Sequence, residues 1–373
     1  MVCISLFLHF LDTFSLSLSL SLSPPPSSSN NQHSHHSIED DDDDDDDKLD
    51  FNVNTHSNSS SNSNHSNESQ LIIKKAIAAL QKSKQVQFLP DIPYNSISDK
   101  NTLDLILPID EKTDEVRAHA PLLIFLHGGL WGMGDKSEGL VLAHYYAIKR
   151  KMAVALINYR LAEQHHQNSL KHPVQALDVS DAFAWLKHKA PHYKYDINRV
   201  YLIGHSVGAH MIGLFSLSQS KYSMRGLIVR GAIGIDGIYD TRRFYHDESE
   251  WRQYIEYAMP DDKKTWDSPQ DFSNSDCESE EVLSWPWLLI HSLEDRWVNV
   301  NQAENFAKHL HQLGIPVELK KLKNGRSHDE VLRNIGTPSL ANPSKGSDDP
   351  TPMIDKFIDS VEAEANWQPV PSK

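Results

Sequence analysis

The sequence predicts an α/β fold with a mostly parallel central sheet and helices on both of its faces. Two patterns carry this prediction: short apolar, β-rich runs recur along residues 71–373, and amphipathic stretches of ten or more residues separate them. A third observation is length: residues 71–373 are about 300 residues, enough chain to bury a large core without disulfide support. The two cysteines, Cys3 and Cys277, form neither a disulfide framework nor a cysteine metal site.

The individual elements follow from these patterns. Seven runs are predicted as strands: 103–107, 122–126, 153–157, 200–203, 232–235, 287–290 and 317–322. Most are apolar throughout, which is typical of parallel strands covered on both faces, and the last is more polar. Five segments are predicted as helices: 139–149, 174–189, 207–216, 302–313 and 353–364. In the second of these helices, Ala176, Val179 and Ala182 recur at three-residue steps and mark a buried face.

Residues 1–70 differ from the rest in composition. They contain 18 Ser and 8 Asn, and one lysine against twelve acidic residues, so they carry most of the net charge of −15. Such a segment cannot bury enough apolar surface to offset the entropy lost on ordering. The sequence therefore predicts a single domain at 71–373 that follows a disordered, acidic tail at 1–70.

Composition also excludes several classes of partner. Clustered Lys and Arg, which phosphate backbones require, are missing, and no run of 18 apolar residues occurs. We therefore expect a small-molecule substrate, no nucleic acid, no membrane, no metal and no cofactor; a homodimer is one option. A cytoplasmic location is favoured over a secretory signal at residues 1–25, because no Lys or Arg precedes Lys48.

The most informative motif is Gly204-His205-Ser206-Val207-Gly208, between an apolar strand and an apolar helix. A strand that reverses into a helix here presents the Ser206 hydroxyl as a nucleophile, and the flanking glycines remove side chains that would clash. The same turn directs the Val207 N–H towards a developing negative charge.

A second motif, His127-Gly128-Gly129-Leu130-Trp131, follows the strand at 122–126. Without side chains to crowd them, the N–H groups of Gly128 and Gly129 are predicted to complete an oxyanion hole with Val207. His127 is expected to brace the turn and to take no acid–base role.

A serine nucleophile needs a base and an orienting carboxylate, and both are found after it in the chain. Asp295 follows the strand at 287–290 and is the predicted acid, with Glu294 as the alternative. His328 follows the strand at 317–322 and is the predicted base. Of the histidines, it alone follows the acid and stands at a strand end.

These motifs together resemble the kynurenine formamidases (arylformamidases) of the α/β-hydrolase superfamily. The resemblance covers residues 90–365 and rests on the two glycine motifs, on Asn158-Tyr-Arg-Leu161 and on Gly237-Ile-Tyr-Asp240. It implies an α/β-hydrolase fold and hydrolysis of N-formyl-L-kynurenine to L-kynurenine and formate, a step of tryptophan degradation towards NAD.

The sequence says less about which residues would recognise the substrate than about the catalytic ones. Trp131 and Tyr239 are candidates for an aromatic substrate wall, and either is equally compatible with packing. The aromatic segment at 241–281 is expected to be a cap over the site or, equally, a surface excursion. Two other functions remain: a carboxylesterase of short acyl esters with the same triad, and a non-catalytic binding module on the same fold.

Overall fold

The computed structural model describes residues 62–163, 169–218, 221–273, 285–323, 327–337 and 349–365. Residues 1–61 of the predicted tail lie outside these ranges, so the tail stays a prediction. The first described helix, α1 (Asn62–Lys82), runs across the predicted boundary at residue 70.

A sheet of nine strands forms the centre of the described chain. Its strands are β1 (Val86–Pro93), β2 (Thr102–Asp110), β3 (Glu115–Val116), β4 (Ala120–Leu126), β5 (Ala153–Ile157), β6 (Tyr195–His205), β7 (Val229–Ile235), β8 (Trp287–Ser292) and β9 (Val317–Leu322). They are ordered β1-β2-β5-β4-β6-β7-β8-β9, with β3 paired to β2. Strands β4 to β9 are parallel, whereas β1 and β2 are antiparallel to their neighbours. The predicted mostly parallel α/β sheet is therefore confirmed.

Helices connect most of the strands. Those after α1 are α2 (Leu140–Ile148), α3 (Val174–Tyr193), α4 (Val207–Leu217), α5 (Thr241–Asp247), α6 (Arg252–Ala258), α7 (Asn301–Gln312), α8 (His328–Asn334) and α9 (Thr351–Ala365). The five helices predicted from sequence correspond to α2, α3, α4, α7 and α9. Across the residues that the structure describes, no helix is both long and apolar enough to cross a bilayer.

The core lies on both faces of the sheet because successive strand residues point in opposite directions. On one face, Leu122, Ile124 and Leu126 pack with residues of α3, α4 and α7. On the other face, Leu123 and Phe125 pack with residues of α1, α2, α8 and α9. The prediction of helices on both faces is confirmed, and the carboxyl ends of β4 and β6 to β9 meet at one edge of the sheet.

Candidate active site

Ser206 is the single residue between β6 and α4. Its backbone has φ 53° and ψ −114°, a region that residues other than glycine rarely occupy. Three hydrogen bonds hold the strained turn: the Ser206 N–H donates to the Ile235 carbonyl at 2.9 Å, and the Ser206 carbonyl accepts from the N–H groups of His210 at 3.1 Å and Ile238 at 3.5 Å. The surrounding sheet therefore fixes Ser206 at the carboxyl edge.

Two glycines allow this turn to pack against its neighbours. A Cβ on Gly208 would lie 2.0 Å from the carbonyl oxygen of Leu126, at the end of β4. A Cβ on Gly204 would lie 2.4 Å from the carbonyl carbon of Gly208. Both distances are far below van der Waals contact, so the spacing of the motif reflects a steric requirement of the turn.

Asp295 and His328 are hydrogen-bonded to each other at the same edge. His328 Nδ1 lies 2.7 Å from Asp295 Oδ2, whose carboxylate can only accept, so the ring proton is on Nδ1 and the Nε2 lone pair is free. The other oxygen, Oδ1, accepts from the backbone N–H groups of Trp297 at 2.8 Å and Val298 at 3.0 Å. The geometry favours Asp295 over Glu294 as the partner of His328.

Asp295 and His328 each shift the pKa of the other so that its charged form is favoured. Burial lowers the pKa of His328, but the hydrogen bond and charge of Asp295 outweigh burial and hold the pKa above its ordinary value. Burial raises the pKa of Asp295, and the hydrogen bond and charge of His328 reverse this effect, so that its pKa lies below the usual range. Asp295 is therefore ionised at neutral pH and stabilises a protonated His328.

Three contacts fix the position of His328, the first residue of α8. The preceding Ser327 forms a capping box with Glu330 at the start of the helix. His205 Nε2 donates to the His328 carbonyl at 3.0 Å. The indole of Trp297 stacks on the imidazole with 5.3 Å between ring centroids and an interplanar angle of 24°.

The glycine loop after β4 approaches Ser206 closely. A Cβ on Gly128 would lie 3.0 Å from the Ser206 Cβ. Gly129 has φ 104°, and a Cβ there would lie 2.2 Å from the Met133 carbonyl oxygen, so the loop requires glycine. In the described part of the chain, the N–H groups of Gly128, Gly129 and Val207 have no hydrogen-bond acceptor. They are available for an oxyanion.

His127 braces this loop. Its ring stacks on Tyr159 with 4.2 Å between centroids, and its Nδ1 donates to the Gly128 carbonyl at 2.8 Å. The Tyr159 hydroxyl donates to the His127 carbonyl at 2.9 Å. Burial, only partly offset by the Gly128 hydrogen bond, lowers the pKa of His127 to about 4, so the ring is neutral at pH 7.

A cavity of about 250 Å³ opens beside Ser206 and His328. Most of its lining is apolar: Ile72, Ile73, Leu130, Met133, Val141, Phe244, Trp251, Trp297, Val298 and Leu332. Charged side chains also line it, namely Glu138, Asp329 and Arg333, with Arg333 Nη2 3.3 Å from Asp329 Oδ2. Phe244 and Trp251 belong to the segment predicted as a cap, of which residues 274–281 lie outside the described ranges.

Of the two alternatives for Trp131 and Tyr239, a substrate wall or core packing, the structure favours packing, because neither residue lines this cavity. Both are fully buried. Trp131 packs edge-on against His210 at 5.1 Å between centroids, and Tyr239 stacks on Phe306 at 4.1 Å. Sequence position places a residue in a loop without fixing the direction of its side chain, and here both point into the core.

Asp236, at the end of β7, is a site residue that the sequence analysis did not identify. Its Oδ1 accepts from the Ser292 N–H at 2.8 Å and lies 3.7 Å from His291 Nδ1, while Oδ2 has no partner among the described residues. Burial and the nearby charge of Asp295 raise its pKa to about 8. The signal that predicted Asp295, an acid in the loop after a buried strand, applies even more directly to Asp236, the first residue after β7.

Asp236 belongs to two sets of metal-ligand types. One set is Asp236 with His205 and His328, the other is Asp236 with His291 and Asp295, and the atoms of each set lie within 4.8 Å. The oxygens of Asp295 already accept hydrogen bonds from His328, Trp297 and Val298. In the second set, the Asp295 oxygens are therefore already engaged by these donors.

Comparisons with known proteins agree with this geometry. A family model described as BD-FAE matches residues 103–310, more than half of the chain. The structure is similar to that of esterase B from Lactobacillus rhamnosis, with a TM-score of 0.60 and 16% identity over 82% of this chain and 95% of the esterase. At this identity, the likeness supports the fold, and the predicted α/β-hydrolase architecture is confirmed.

Two kinds of hydrolase are similar in sequence. A probable isoprenylcysteine alpha-carbonyl methylesterase of Oryza sativa subsp. japonica is 27% identical over 277 residues, which cover 71% of this chain and 62% of the relative. A kynurenine formamidase of Scheffersomyces stipitis is 25% identical over 240 residues, which cover 57% of this chain and 85% of that enzyme. The chain thus spans less than two thirds of the rice relative's own length.

Proposed function

Because the chain belongs to the BD-FAE family of α/β-hydrolases and is a hydrolase of the esterase type, we propose that it is a serine carboxylesterase acting on esters with an apolar group. The observation that carries the proposal is the hydrogen-bonded pair of Asp295 and His328 beside Ser206, in a cavity with mostly apolar walls. Such walls favour apolar acyl or alcohol groups by removing them from water.

The proposed mechanism begins with Ser206. As its hydroxyl attacks the ester carbonyl carbon, the proton passes to the free Nε2 of His328. The N–H groups of Gly128, Gly129 and Val207 bind the oxyanion of the tetrahedral intermediate.

Asp295 stabilises the protonated His328 during this step, which agrees with its lowered pKa. The imidazolium then protonates the departing alcohol as the ester bond breaks, leaving an acyl group on Ser206. Water, deprotonated by His328, attacks this acyl-enzyme and releases the carboxylic acid together with the regenerated serine.

A substrate panel tests the proposal. It contains p-nitrophenyl esters of acetate to dodecanoate, an S-farnesylcysteine methyl ester chosen from the name of the rice relative, and N-formyl-L-kynurenine. We expect ester hydrolysis by the wild-type chain and a loss of at least about 10³-fold in Ser206→Ala. No ester hydrolysis, or an unchanged rate in Ser206→Ala, would contradict the esterase proposal; binding without turnover would support a non-catalytic module.

A second candidate is the hydrolysis of N-formyl-L-kynurenine, supported by the charged side chains of the cavity. Arg333 can pair with a substrate carboxylate and Asp329 with an ammonium group, so that together they suit a zwitterionic amino acid. Here Ser206 would attack the formyl carbon, and His328 would protonate the aryl amine that leaves. The similarity to the yeast formamidase also supports this candidate.

Arg333 distinguishes the two candidates. Arg333→Met should raise KM for N-formyl-L-kynurenine at least about 10-fold, because the substrate carboxylate loses its charged partner. Its effect on KM for neutral p-nitrophenyl butyrate should be much smaller. Absence of formylkynurenine turnover in the wild-type chain would remove this candidate and leave the esterase proposal in place.

A further inference from the structure

Helix α1 contributes directly to the cavity beside Ser206. Ile72 and Ile73 line it together with Val141 of α2 and Leu332 of α8. Both isoleucines lie outside residues 103–310, the part of the chain that the family model matches. Together they form the part of the cavity wall that α1 supplies.

The sequence of α1 keeps this helix on the domain. Ala76 and Leu80, four residues apart, are buried at 0% and 1% exposure, and Ile77 packs against the same apolar cluster. Lys74 and Lys75 are exposed on the opposite side. This spacing gives one apolar face of an amphipathic helix, so the position of Ile72 and Ile73 is set by burial one and two turns later.

The α1 side of the cavity wall packs against α2 and against α8, the helix that begins with His328. The apolar cluster that holds Ala76 and Leu80 also contains Val141 and Leu332, and both of these residues line the cavity. Leu332 lies four residues after His328 on α8, one helical turn away. A change in the volume of the α1 side chains thus alters the space that a substrate occupies close to the triad.

We propose that Ile72 and Ile73 are specificity-determining residues that limit the length of the apolar group the enzyme accepts. The proposal rests on the proposed esterase activity. Each methylene that enters an apolar cavity improves transfer from water enough to raise kcat/KM about fourfold, until the chain meets a wall. Ile72 and Ile73 form that wall in this structure.

The test compares variants that fill and enlarge the cavity. Ile72→Trp and Ile73→Trp reduce its volume, and Ile72→Ala and Ile73→Ala increase it. Ile77→Ala is the matched control, because Ile77 is on the same helix and packs on the same cluster without lining the cavity. The readout is kcat/KM across two series, p-nitrophenyl esters of increasing acyl length and acetate esters of increasing alcohol length.

In at least one series, the tryptophan variants should lower the ratio of kcat/KM for the eight-carbon chain to kcat/KM for the two-carbon chain at least about 10-fold. The alanine variants should shift the preferred length upwards, and Ile77→Ala should keep the wild-type profile. Parallel profiles in all variants, with folding confirmed by circular dichroism, would overturn the proposal. Failure of the esterase proposal is seen separately, as wild-type protein that hydrolyses none of the esters.

Discussion

At the scale of single residues, two buried carboxylates near His328 differ in their protonation. Asp295 accepts three hydrogen bonds, and its pKa is lowered, so it is charged at neutral pH. Asp236 accepts one, from the Ser292 N–H, and its pKa is raised to about 8, so it holds its proton. Burial and the charge of Asp295 keep Asp236 protonated, whereas the hydrogen bond and charge of His328 outweigh burial at Asp295, so only Asp295 can stabilise a protonated imidazole.

Removing the charge of Asp295 should therefore impair catalysis far more than changing its neighbour. Asp295→Asn should lower kcat about 10⁴-fold, because an amide favours the wrong tautomer of His328 and does not stabilise its protonated form. Glu294→Gln should stay within a few-fold of wild type. Steady-state kinetics on one ester measures both, and a larger loss in Glu294→Gln would assign the acid to Glu294.

Asp236 predicts a dependence of stability on pH. An acid whose pKa is raised by folding keeps its proton in the folded chain and loses it in the unfolded chain, from about pH 4 to pH 8. Stability should fall as pH rises through this window, with a slope of up to about 1.4 kcal/mol per pH unit from this group.

Asp236→Asn removes this titration while its amide oxygen can still accept from Ser292. The free energy of unfolding, measured by urea titration between pH 5 and pH 8, should decline less steeply in the variant than in the wild type. Equal slopes would show that Asp236 is ionised in the folded protein.

At the scale of elements, the packing of α4 against the end of β4 depends on the absence of a side chain at Gly208. Gly208→Ala should reduce stability by at least about 3 kcal/mol, since its methyl group would meet the backbone of β4. Gly314→Ala is the control: Gly314 has φ 75° and no atom within 4 Å of an added Cβ, so only backbone strain of about 1 kcal/mol is expected. Thermal unfolding measures the stability lost in each variant. Similar losses in Gly208→Ala and Gly314→Ala would contradict a steric role for Gly208.

The elements that were predictable from sequence are those with a long repeated pattern. Interior strands such as β4 are apolar throughout, and helices such as α3 repeat an apolar face over several turns. By contrast, α5, α6 and α8 are seven residues each, too short to show a helical period. Helix α1 was not among the predicted helices, although Ile73, Ile77 and Leu80 recur at helical spacing, because Asn, Ser and other polar residues that are typical of loops make up most of its first half.

Within the site, the sequence located the loops better than the side chains. The predictions of Ser206, Asp295 and His328 rested on the loops that follow β6, β8 and β9, and the structure brings these loops to one edge of the sheet. Trp131 and Tyr239 follow strands too, yet they turn into the core, since loop conformation and not chain position decides which way a side chain points. The contribution of Ile72 and Ile73 depends on a contact between distant parts of the chain.

At the scale of the whole molecule, the acidic N-terminal segment and the hydrolase domain should be separable. Deleting residues 1–61 should leave ester hydrolysis and thermal stability close to wild type, because the catalytic motifs all lie after residue 120. Deleting residues 1–82 removes α1 and should lower both, since Ala76, Leu80 and the cavity wall are lost. Loss of activity in the shorter deletion would contradict the predicted independence of the tail.

The stacking of Trp297 on His328 gives the protein an optical reporter of its own chemistry. Trp297 is 38% exposed and its indole faces the imidazole at 5.3 Å, a distance at which a protonated imidazole quenches indole emission. Fluorescence should therefore dim as pH falls through the raised pKa of His328, and Trp297→Phe should abolish that change while the other tryptophans still emit. The charge of His328 then becomes readable in the protein alone, without a substrate.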